Sequence, residues 1–386
     1  MKRFGTILLA VFLVMGIFPG KAMGVQMEIG GKSACLMDVA TGTVLYESNS
    51  HEPLAPASVT KVMTMLLIME AIDSGKIGWD DPVTASESAA AKGGSQIYLK
   101  AGETMNVADM VKSIAVSSAN DCACAMAEHL AGSESAFVEQ MNRRAEELGM
   151  KDTHFVNCTG LDDDENAKEH RTSAYDIALM SRQLLKYHPD IRKFTTIWMD
   201  TVRNGAFGLS NTNKMVRFYQ GCTGLKTGFT SGAGYCLSAS AQREGLELIA
   251  VVMGAQTSQE RFAACKSMLD YGFANYALVE PAVESGTVPV KLGKMEQVTV
   301  IPGEQSQYLI EKSQKGEVNT HMALEESVTA PVSAGQRLGM LTVRVGEQVL
   351  AQIPLVAEKS VERLSVGDLF CFVLRHTAMA KQKTQT

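Results

Sequence analysis

The chain has 386 residues, of which 46% are hydrophobic and 20% are charged. This length allows one catalytic domain plus a smaller companion, and the composition excludes a disordered chain or a multi-span membrane protein. The net charge is −6 and Lys and Arg form no long run, so a nucleic-acid partner is not expected.

The amino terminus departs from this average composition. Lys2 and Arg3 precede an apolar stretch at 7–18, and the small residues Ala22 and Gly24 follow it. This order predicts a secretory signal peptide that is removed near those small residues, with an uncleaved anchor as the alternative. In both cases the body of the protein acts outside the cytoplasm.

The eight cysteines are scattered and lack paired C-x-x-C spacing, which makes a zinc ribbon unlikely on spacing alone. Several lie in apolar runs and are interpreted as small buried hydrophobes, although an exported protein can also contain one or two disulfides. The sequence does not decide which would pair. The cysteines are Cys35, Cys122, Cys124, Cys158, Cys222, Cys236, Cys265 and Cys371.

The mature chain is expected to open with a β-hairpin, formed by residues 33–39 and 43–47. Residues 58–72 follow as a helix that is apolar almost all round, which predicts burial on every side. Ser173 lies three residues before Asp176 and predicts a cap for the last of the remaining helices. Those helices are predicted at 107–115, 119–130, 134–148 and 174–187.

Strand patterns return after these helices, and their strands should join the hairpin in one antiparallel sheet. They lie at 225–230, 235–242 and 246–253, and a closing helix follows at 262–276. Strands at both sequence ends around a helical centre predict an α+β domain, assigned to residues 25–278 after a signal peptide at 1–24.

Residues 279–366 change character, because helical periodicity is absent and short strands alternate with turns. They predict a small all-β domain, with strands at 287–290, 297–301, 340–345 and 349–355. The remaining tail, 367–386, contains an apolar run followed by Lys381 and Lys383. It is too short to span a membrane and is interpreted either as an interfacial membrane contact or as a terminus that frays or packs on the β-domain.

The candidate chemistry begins at Ser58-Val59-Thr60-Lys61. Three residues of separation put Ser58 and Lys61 on one face of a helix, and a lysine whose charge is suppressed by burial can take the serine proton. The helix start also offers N–H groups to a developing oxyanion. A lone S-x-x-K would more simply be an N-cap with a solvated lysine.

Two further patterns follow in chain order. Ser118-Ala119-Asn120 lies in a polar break between helices, and Lys226-Thr227-Gly228 lies in a strand, where glycine permits close approach of another backbone. Each pattern alone has an ordinary structural interpretation: the first is a helix cap and the second is a strand segment. Together the three patterns form the motif set of penicillin-binding proteins and serine β-lactamases.

The resemblance extends beyond the motifs and covers roughly residues 30 to 375. The chain resembles the low-molecular-mass D-alanyl-D-alanine carboxypeptidases, including their C-terminal domain. The matching stretches are Ala55-Pro56-Ala57-Ser58, Asn120-Asp121, Thr153-His154-Phe155, Gly160-Leu161-Asp162, Gly224-Leu225-Lys226-Thr227-Gly228-Phe229-Thr230, Ala330-Pro331-Val332 and Gly335-Gln336.

This resemblance implies a role for each matching residue. Ser58 would be the acylated nucleophile, Lys61 its base, and Ser118 and Asn120 the second motif. The substrate-binding set would be Lys226 and Thr227 as a clamp for the terminal carboxylate, Gly228 for space, the backbone N–H of Phe229 with that of Ser58 as the oxyanion hole, and Arg261 near the carboxylate.

At three positions the chain departs from the family pattern or allows another interpretation. Arg261 could equally be a helix-surface arginine. Phe229 stands where some members have histidine, so the pH behaviour of that histidine is not carried over. Thr223 stands where the family often has aspartate, and its consequence is open.

Other function classes fit the sequence less well. A β-lactamase shares the motifs, but the acidic run 162–165 is more typical of a solvated loop than of a catalytic base, and lactamases lack the β-domain. A low-turnover penicillin sensor or wall-binding module is a further alternative. The seven histidines never pair at H-x-x-x-H spacing and G-x-S-x-G is absent, so neither a zinc peptidase nor a histidine-based serine triad is expected.

The resemblance therefore implies an exported serine D,D-carboxypeptidase that removes the terminal D-alanine from peptidoglycan stem pentapeptides. β-Lactams should acylate the same serine, and no metal or organic cofactor is implied. The implied location is the outer face of the cytoplasmic membrane.

Overall fold

A computed structural model describes residues 27, 29–162, 165–281, 286–303, 307–368 and 370. These residues form two compact units. The larger contains residues 27–279 and 307–313, and the smaller contains the described parts of 280–306 and 314–386. The predicted signal peptide, 1–24, lies outside the described residues, as does most of the predicted tail, 367–386.

Strands and helices alternate through the larger unit, whereas the smaller one is built from strands. The helices are α1 Lys61–Asp73, α2 Glu87–Ala90, α3 Val107–Ser117, α4 Asn120–Ala131, α5 Glu134–Glu147, α6 Ala174–Tyr187, α7 Arg192–Thr195, α8 Met215–Phe218 and α9 Ser258–Asn275. The strands are β1 Ser33–Asp38, β2 Val44–Ser48, β3 Pro82–Thr84, β4 Thr104–Asn106, β5 Met199–Val202, β6 Phe207–Ser210, β7 Cys222–Thr230, β8 Gly234–Arg243, β9 Leu246–Ala255, β10 Tyr276–Val279, β11 Gly286–Lys291, β12 Gln297–Pro302, β13 Tyr308–Glu311, β14 Val318–Leu324, β15 Val328–Thr329, β16 Arg337–Val345 and β17 Gln348–Ala357.

The core of the larger unit is a five-stranded antiparallel sheet in the order β2-β1-β9-β8-β7. Its middle strand, β9, is buried along its whole length. Side chains on a strand alternate between the two faces. Ala250 and Val252 therefore pack with α9 on one side, while Val251 and Met253 join the helical body on the other. The predicted sheet is confirmed.

The helix that carries the first motif begins later than predicted. Residues Ala57–Thr60 form a 3₁₀ turn, and α1 starts at Lys61 rather than at Ser58. A 3₁₀ turn has three residues per turn, so side chains three apart lie directly above one another. The change therefore brings Ser58 and Lys61 closer than an α-helix would. The predicted burial holds, because α1 is buried on nearly all sides.

The other predicted helices are present with small shifts at their ends, and Ser173 caps α6 by accepting a hydrogen bond from the Asp176 N–H at 3.2 Å. Three short strand pairs were not predicted, namely β3–β4, β5–β6 and β10–β13. They are too short to show a period-2 pattern. Through β13, residues 307–313 belong to the larger unit although they follow β11 and β12 in sequence.

The smaller unit is a six-stranded sheet in the order β14-β16-β17-β12-β11-β15. All pairs are antiparallel except β11 with β15. Val288, Val298, Leu341 and Leu355 lie in its buried core. The predicted α+β unit followed by an all-β unit is confirmed, while β14 was missed because its mostly exposed residues lack an apolar face. No helix within the described ranges is both long and apolar enough to cross a bilayer.

Candidate active site

Ser58 and Lys61 form the hydrogen-bonded pair that the first motif predicts. The Lys61 Nζ lies 2.9 Å from the Ser58 Oγ and 2.8 Å from the Thr159 carbonyl oxygen. Ser58 is not an N-cap, because neither the 3₁₀ turn nor α1 has a side-chain cap. Its half-buried hydroxyl stays available to a substrate, and the amine beside it can accept its proton.

Lys61 is fully buried, with an exposure of 0%. Removal of the amine from water disfavours its charged form and lowers its pKa to about 7, against smaller opposing effects of Cys158 and Asp121. An amine with this pKa is largely neutral just above neutral pH. It therefore has the protonation state that a general base requires.

The turn that presents Ser58 is strained and tightly supported. Ala57 has a φ of 49°, in the left-handed region that non-glycine residues rarely adopt. Its carbonyl oxygen accepts a 2.8 Å hydrogen bond from the Thr60 hydroxyl. A Cβ on Gly160 would lie 1.8 Å from that oxygen, and Gly160 has a φ of 80°. Only glycine at position 160 lets this segment pack against the turn.

His170, which the sequence did not single out, lies behind the same turn. Its Nδ1 accepts the Val156 backbone N–H at 3.1 Å, so the ring proton of the neutral form lies on Nε2, which is 2.7 Å from the Thr60 hydroxyl. Burial, followed by the nearby His154 and Lys61, lowers the His170 pKa to about 4. A neutral imidazole thus holds Thr60, which in turn holds Ala57.

The second motif lies at the junction of α3 and α4. Ser118 ends α3 with a φ of 62°, and the Asn120 N–H donates to the Ser95 carbonyl at 2.7 Å. The Asn120 Nδ2 donates to the Gly93 carbonyl at 2.7 Å, while its buried Oδ1 has no protein partner in the described part of the chain. A Cβ on Gly94 would contact both Asn120 and Leu161, so this motif adjoins the segment that holds Lys61.

The third motif lies on β7, which packs against the turn that carries Ser58. Lys226 is 1% exposed, and its Nζ donates to the Thr227 carbonyl at 2.9 Å. Burial, together with the positive charges of Lys61 and Arg261, lowers the Lys226 pKa well below its usual value. The Thr227 and Thr212 hydroxyls are 2.7 Å apart, and the Thr212 N–H donates to the Val116 carbonyl of α3, which links the second and third motifs.

Gly228 marks the closest approach of β7 to the turn. A Cβ there would lie 2.6 Å from the Pro56 oxygen and 3.1 Å from the Ser58 nitrogen. These short distances agree with the prediction that position 228 has no space for a side chain. The next side chain, Phe229, is 53% exposed and packs on Tyr235 with ring centroids 4.3 Å apart.

Arg261 is buried, with an exposure of 7%, so the alternative of a helix-surface arginine is wrong. From α9 its Nη1 donates to the carbonyl oxygens of Gly228 at 2.8 Å and Cys236 at 3.2 Å. The guanidinium also lies over the Tyr235 ring, 5.2 Å from its centroid. These contacts hold the backbone of β7 and β8 beside the site.

Thr223, the departure from the family pattern, lies at the start of β7. Its hydroxyl is 2.8 Å from the Ser240 hydroxyl and 2.9 Å from the Glu247 carboxylate. Arg192 forms an ion pair with Glu247. A buried carboxylate is thus supplied from β9, next to the position where the family often has aspartate.

The structure therefore brings Ser58, Lys61, Lys226 and Gly228 together and places Asn120 beside the segment that holds Lys61. Sequence reasoning missed the residues that support it: Thr60, Thr159, His170 and Thr212. Gly160 also supports the site, and it carried a sequence signal through the family-like Gly160-Leu161-Asp162. Within the described ranges no three His, Cys, Asp or Glu side chains are grouped to hold a metal ion.

Two family models match the chain. One, described as D-alanyl-D-alanine carboxypeptidase, matches residues 21–257, and the other, described as the C-terminal domain of penicillin-binding protein 5, matches residues 274–363. Together they span both structural units.

Relatives and solved structures agree with these models. The D-alanyl-D-alanine carboxypeptidase DacF of Bacillus subtilis (strain 168) is 44% identical over 339 residues, which is 86% of each chain. The crystal structure of penicillin-binding protein 5 from Haemophilus influenzae has a TM-score of 0.73 at 30% identity and covers 87% of this chain and 99% of its own. Penicillin-binding protein D2 of Listeria monocytogenes in its ampicillin-bound form has a TM-score of 0.58 at 32% identity, covering 64% of this chain and 99% of its own.

Proposed function

The chain belongs to the D-alanyl-D-alanine carboxypeptidase family of serine peptidases, and we propose that Ser58 and Lys61 are the catalytic pair of its D,D-carboxypeptidase reaction. The predicted family, hydrolase class and cell-wall role are confirmed by the relatives. The observation that carries the residue assignment is the 2.9 Å contact between the Ser58 Oγ and the Nζ of a buried Lys61 whose pKa is lowered to about 7.

Acylation follows from this contact. Neutral Lys61 takes the Ser58 proton while the Oγ bonds to the carbonyl carbon between the two terminal D-alanine residues. The backbone N–H groups of Ser58 and Phe229 stabilise the resulting oxyanion. The C–N bond then breaks, and the proton passes from Lys61, by way of the Ser118 hydroxyl, to the amine of the departing D-alanine.

The remaining motif residues bind the substrate. The unpartnered Oδ1 of Asn120 accepts an N–H of the stem peptide, which would satisfy a buried acceptor. Lys226 and the Thr227 hydroxyl bind the terminal carboxylate, and an anion beside Lys226 favours its charged form. Arg261 donates to the Gly228 carbonyl and adds positive charge behind β7, near the proposed carboxylate site.

Water completes the cycle by hydrolysing the Ser58 ester, with Lys61 again as base. The product is a tetrapeptide that can no longer act as a donor in cross-linking. β-Lactams acylate Ser58 in the same way, and the ester that they form is hydrolysed slowly. The steps as proposed use the side chains and backbone of this chain, the substrate and water.

Release of D-alanine from a diacyl-D-alanyl-D-alanine peptide by the purified protein tests the proposal, with Ser58→Ala as the matched control. We expect the variant to lose at least ~10³-fold in rate. Equal release by both proteins would contradict the mechanism. Labelling of Ser58 by a fluorescent penicillin without D-alanine release would instead identify a low-turnover sensor.

We further propose that the chain is exported by its first 24 residues and held at the outer face of the cytoplasmic membrane by residues 367–386. Each segment combines basic residues with an apolar run, which supports this proposal. The proposal therefore rests on the sequence of the two segments and not on the described fold. Cell fractionation of the full chain and of a chain ending at Asp368 tests it. Full-length protein should sediment with membranes and the truncated protein should not; equal distribution would contradict attachment.

A further inference from the structure

Two buried cysteines next to the site converge on one carboxylate. Cys124 lies on α4, one turn after Asn120, and Cys158 immediately precedes Thr159, whose carbonyl accepts the Lys61 amine. The Cys158 Sγ is 3.2 Å from the Glu134 Oε1, and the Cys124 Sγ is 3.8 Å from the Glu134 Oε2 and 3.7 Å from the Glu128 Oε1. Both thiols therefore contact the Glu134 carboxylate.

Their surroundings distinguish them from three of the other cysteines that the structure describes. Cys222, Cys236 and Cys265 point their sulfur atoms at backbone carbonyl oxygens. The Cys124 thiol, by contrast, is the foremost cause of the raised pKa of Cys158, ahead of burial. Each sulfur of this pair thus has the other as a neighbour.

We propose that Cys124 and Cys158 form a disulfide bond in the exported protein. The proposal rests on the proposed export, because disulfides form and persist in oxidising compartments. The two thiols lose two protons and two electrons as the sulfur–sulfur bond forms. A disulfide-containing oxidant, either a small molecule or a thiol-oxidising enzyme, accepts them and is reduced to two thiols.

The bond would form before the core closes. Both cysteines have an exposure of 0%, so an oxidant cannot reach them in the folded chain. Thiolate is the reacting species, and a raised thiol pKa slows the reaction further. Folded, reduced protein should therefore resist oxidation, whereas the unfolded chain should pair these cysteines as it folds.

The local hydrogen bonds tolerate the change. Glu134 would lose two thiol donors, yet it keeps the Lys92 amine at 2.6 Å and the Cys158 N–H at 3.2 Å. The disulfide would then tie α4, which begins with Asn120, to the segment whose carbonyl holds Lys61. It would close a loop of ~35 residues and stabilise the arrangement of two active-site segments.

Mass spectrometry of the full chain tests the pairing. Protein exported into an oxidising compartment is quenched in acid, alkylated under denaturing conditions and digested without reduction. We expect a linked Cys124–Cys158 peptide pair that is absent from protein made in a reducing cytoplasm. The linked form should have a Tm higher by roughly 5–10 °C than the same protein after reduction and refolding.

Two variants serve as controls. Cys122→Ser, which removes the adjacent thiol on α4, should keep the link, and Cys124→Ser should abolish it and leave Cys158 free to alkylate. Refolding of denatured, reduced chain in a glutathione redox buffer should restore the link without export. Alkylation of both cysteines in exported and in refolded protein, or a link from Cys158 to another cysteine, would overturn the proposal.

Parallel measurement of D-alanine release separates this proposal from the enzymatic one. Active protein with two free thiols would overturn only the disulfide. Linked protein that releases no D-alanine would overturn only the proposed function.

Discussion

The two walls of the active site are built in different ways. The wall that carries Ser58 and Lys61 is an irregular turn with a left-handed Ala57, held by contacts from residues 159, 160 and 170. The opposite wall is β7, the edge strand of a five-stranded sheet, with a bulge between Cys222 and Gly224. The proposed reacting groups thus lie on a strained turn, and the proposed carboxylate-binding groups lie on a strand of the sheet.

The two buried lysines express the same difference. Both are removed from water and both have lowered pKa values. The Lys61 amine donates to the Ser58 hydroxyl, whereas the Lys226 amine donates to the Thr227 carbonyl oxygen. In the proposed mechanism, equal burial serves two purposes: it neutralises the Lys61 amine for proton transfer, and it lets the Lys226 amine gain a charge when an anion binds.

The largest expected effect comes from removing each amine. Lys61→Met should lower the acylation rate ~10²–10⁴-fold for peptide and β-lactam alike, because the base is lost. Lys226→Met should mainly raise KM for substrates with a free terminal carboxylate. Stopped-flow measurement of penicillin acylation and steady-state D-alanine release check both, and methionine is long enough to fill either buried site.

A substrate whose terminal carboxylate is replaced by an amide separates the two roles. Lys226→Met should reduce the preference for the carboxylate substrate, whereas Lys61→Met should leave that preference unchanged at a lower rate. An unchanged preference in Lys226→Met would contradict a carboxylate-binding role.

The second comparison uses the glycines that bring the walls together. Gly160→Ala places a Cβ 1.8 Å from the Ala57 oxygen at a φ of 80°, so both backbone clash and strain oppose it. We expect a stability loss of more than ~3 kcal/mol, or no folded protein. Gly228→Ala meets the Pro56 oxygen at 2.6 Å and should cost less stability while still lowering activity. Urea unfolding and D-alanine release measure both, and equal stability of the two variants would contradict this ranking.

The smallest expected effect concerns the support behind the turn. His170→Gln should lower kcat/KM about 10-fold, because Thr60 and Ala57 lose their rigid neutral partner. The folded-state pKa of His170 is about 4, below the ordinary value of ~6.5, so the unfolded chain binds more protons between these pH values. Its contribution to stability is therefore present above that window and is lost as the pH falls through it.

Urea unfolding at pH 7 and pH 4.5 checks this sign. Wild-type protein should lose more stability on acidification than His170→Gln, and the exposed His321→Gln should behave like wild type. Equal acid sensitivity of wild type and His170→Gln would show that His170 does not titrate in this way.

Much of the molecule was predictable from local pattern alone. The hairpin, the long helices and strands β7 to β9 have apolar periodicity that extends over several residues, and the three motifs lie within continuous stretches of sequence. The start of α1 was predicted at Ser58 and not at Lys61, because Pro56 and the all-apolar pattern gave no signal that a 3₁₀ turn precedes α1. Strand β13 was missed because it is too short to show a period-2 pattern, and β14 was missed because its mostly exposed residues lack an apolar face.

The sequence by itself determined the family and the order of the three motifs, and it supplied the proposed nucleophile and base. Only the tertiary structure decided how these residues are supported, because Thr159, His170 and Thr212 reach the site through contacts that join distant parts of the chain. The same is true of Arg261, whose burial against β7 and β8 no helical pattern indicated, and of Cys124 and Cys158, which are neighbours in space alone. A side chain's pKa and partners depend on the atoms packed around it, and sequence patterns report mainly on the few residues that precede and follow.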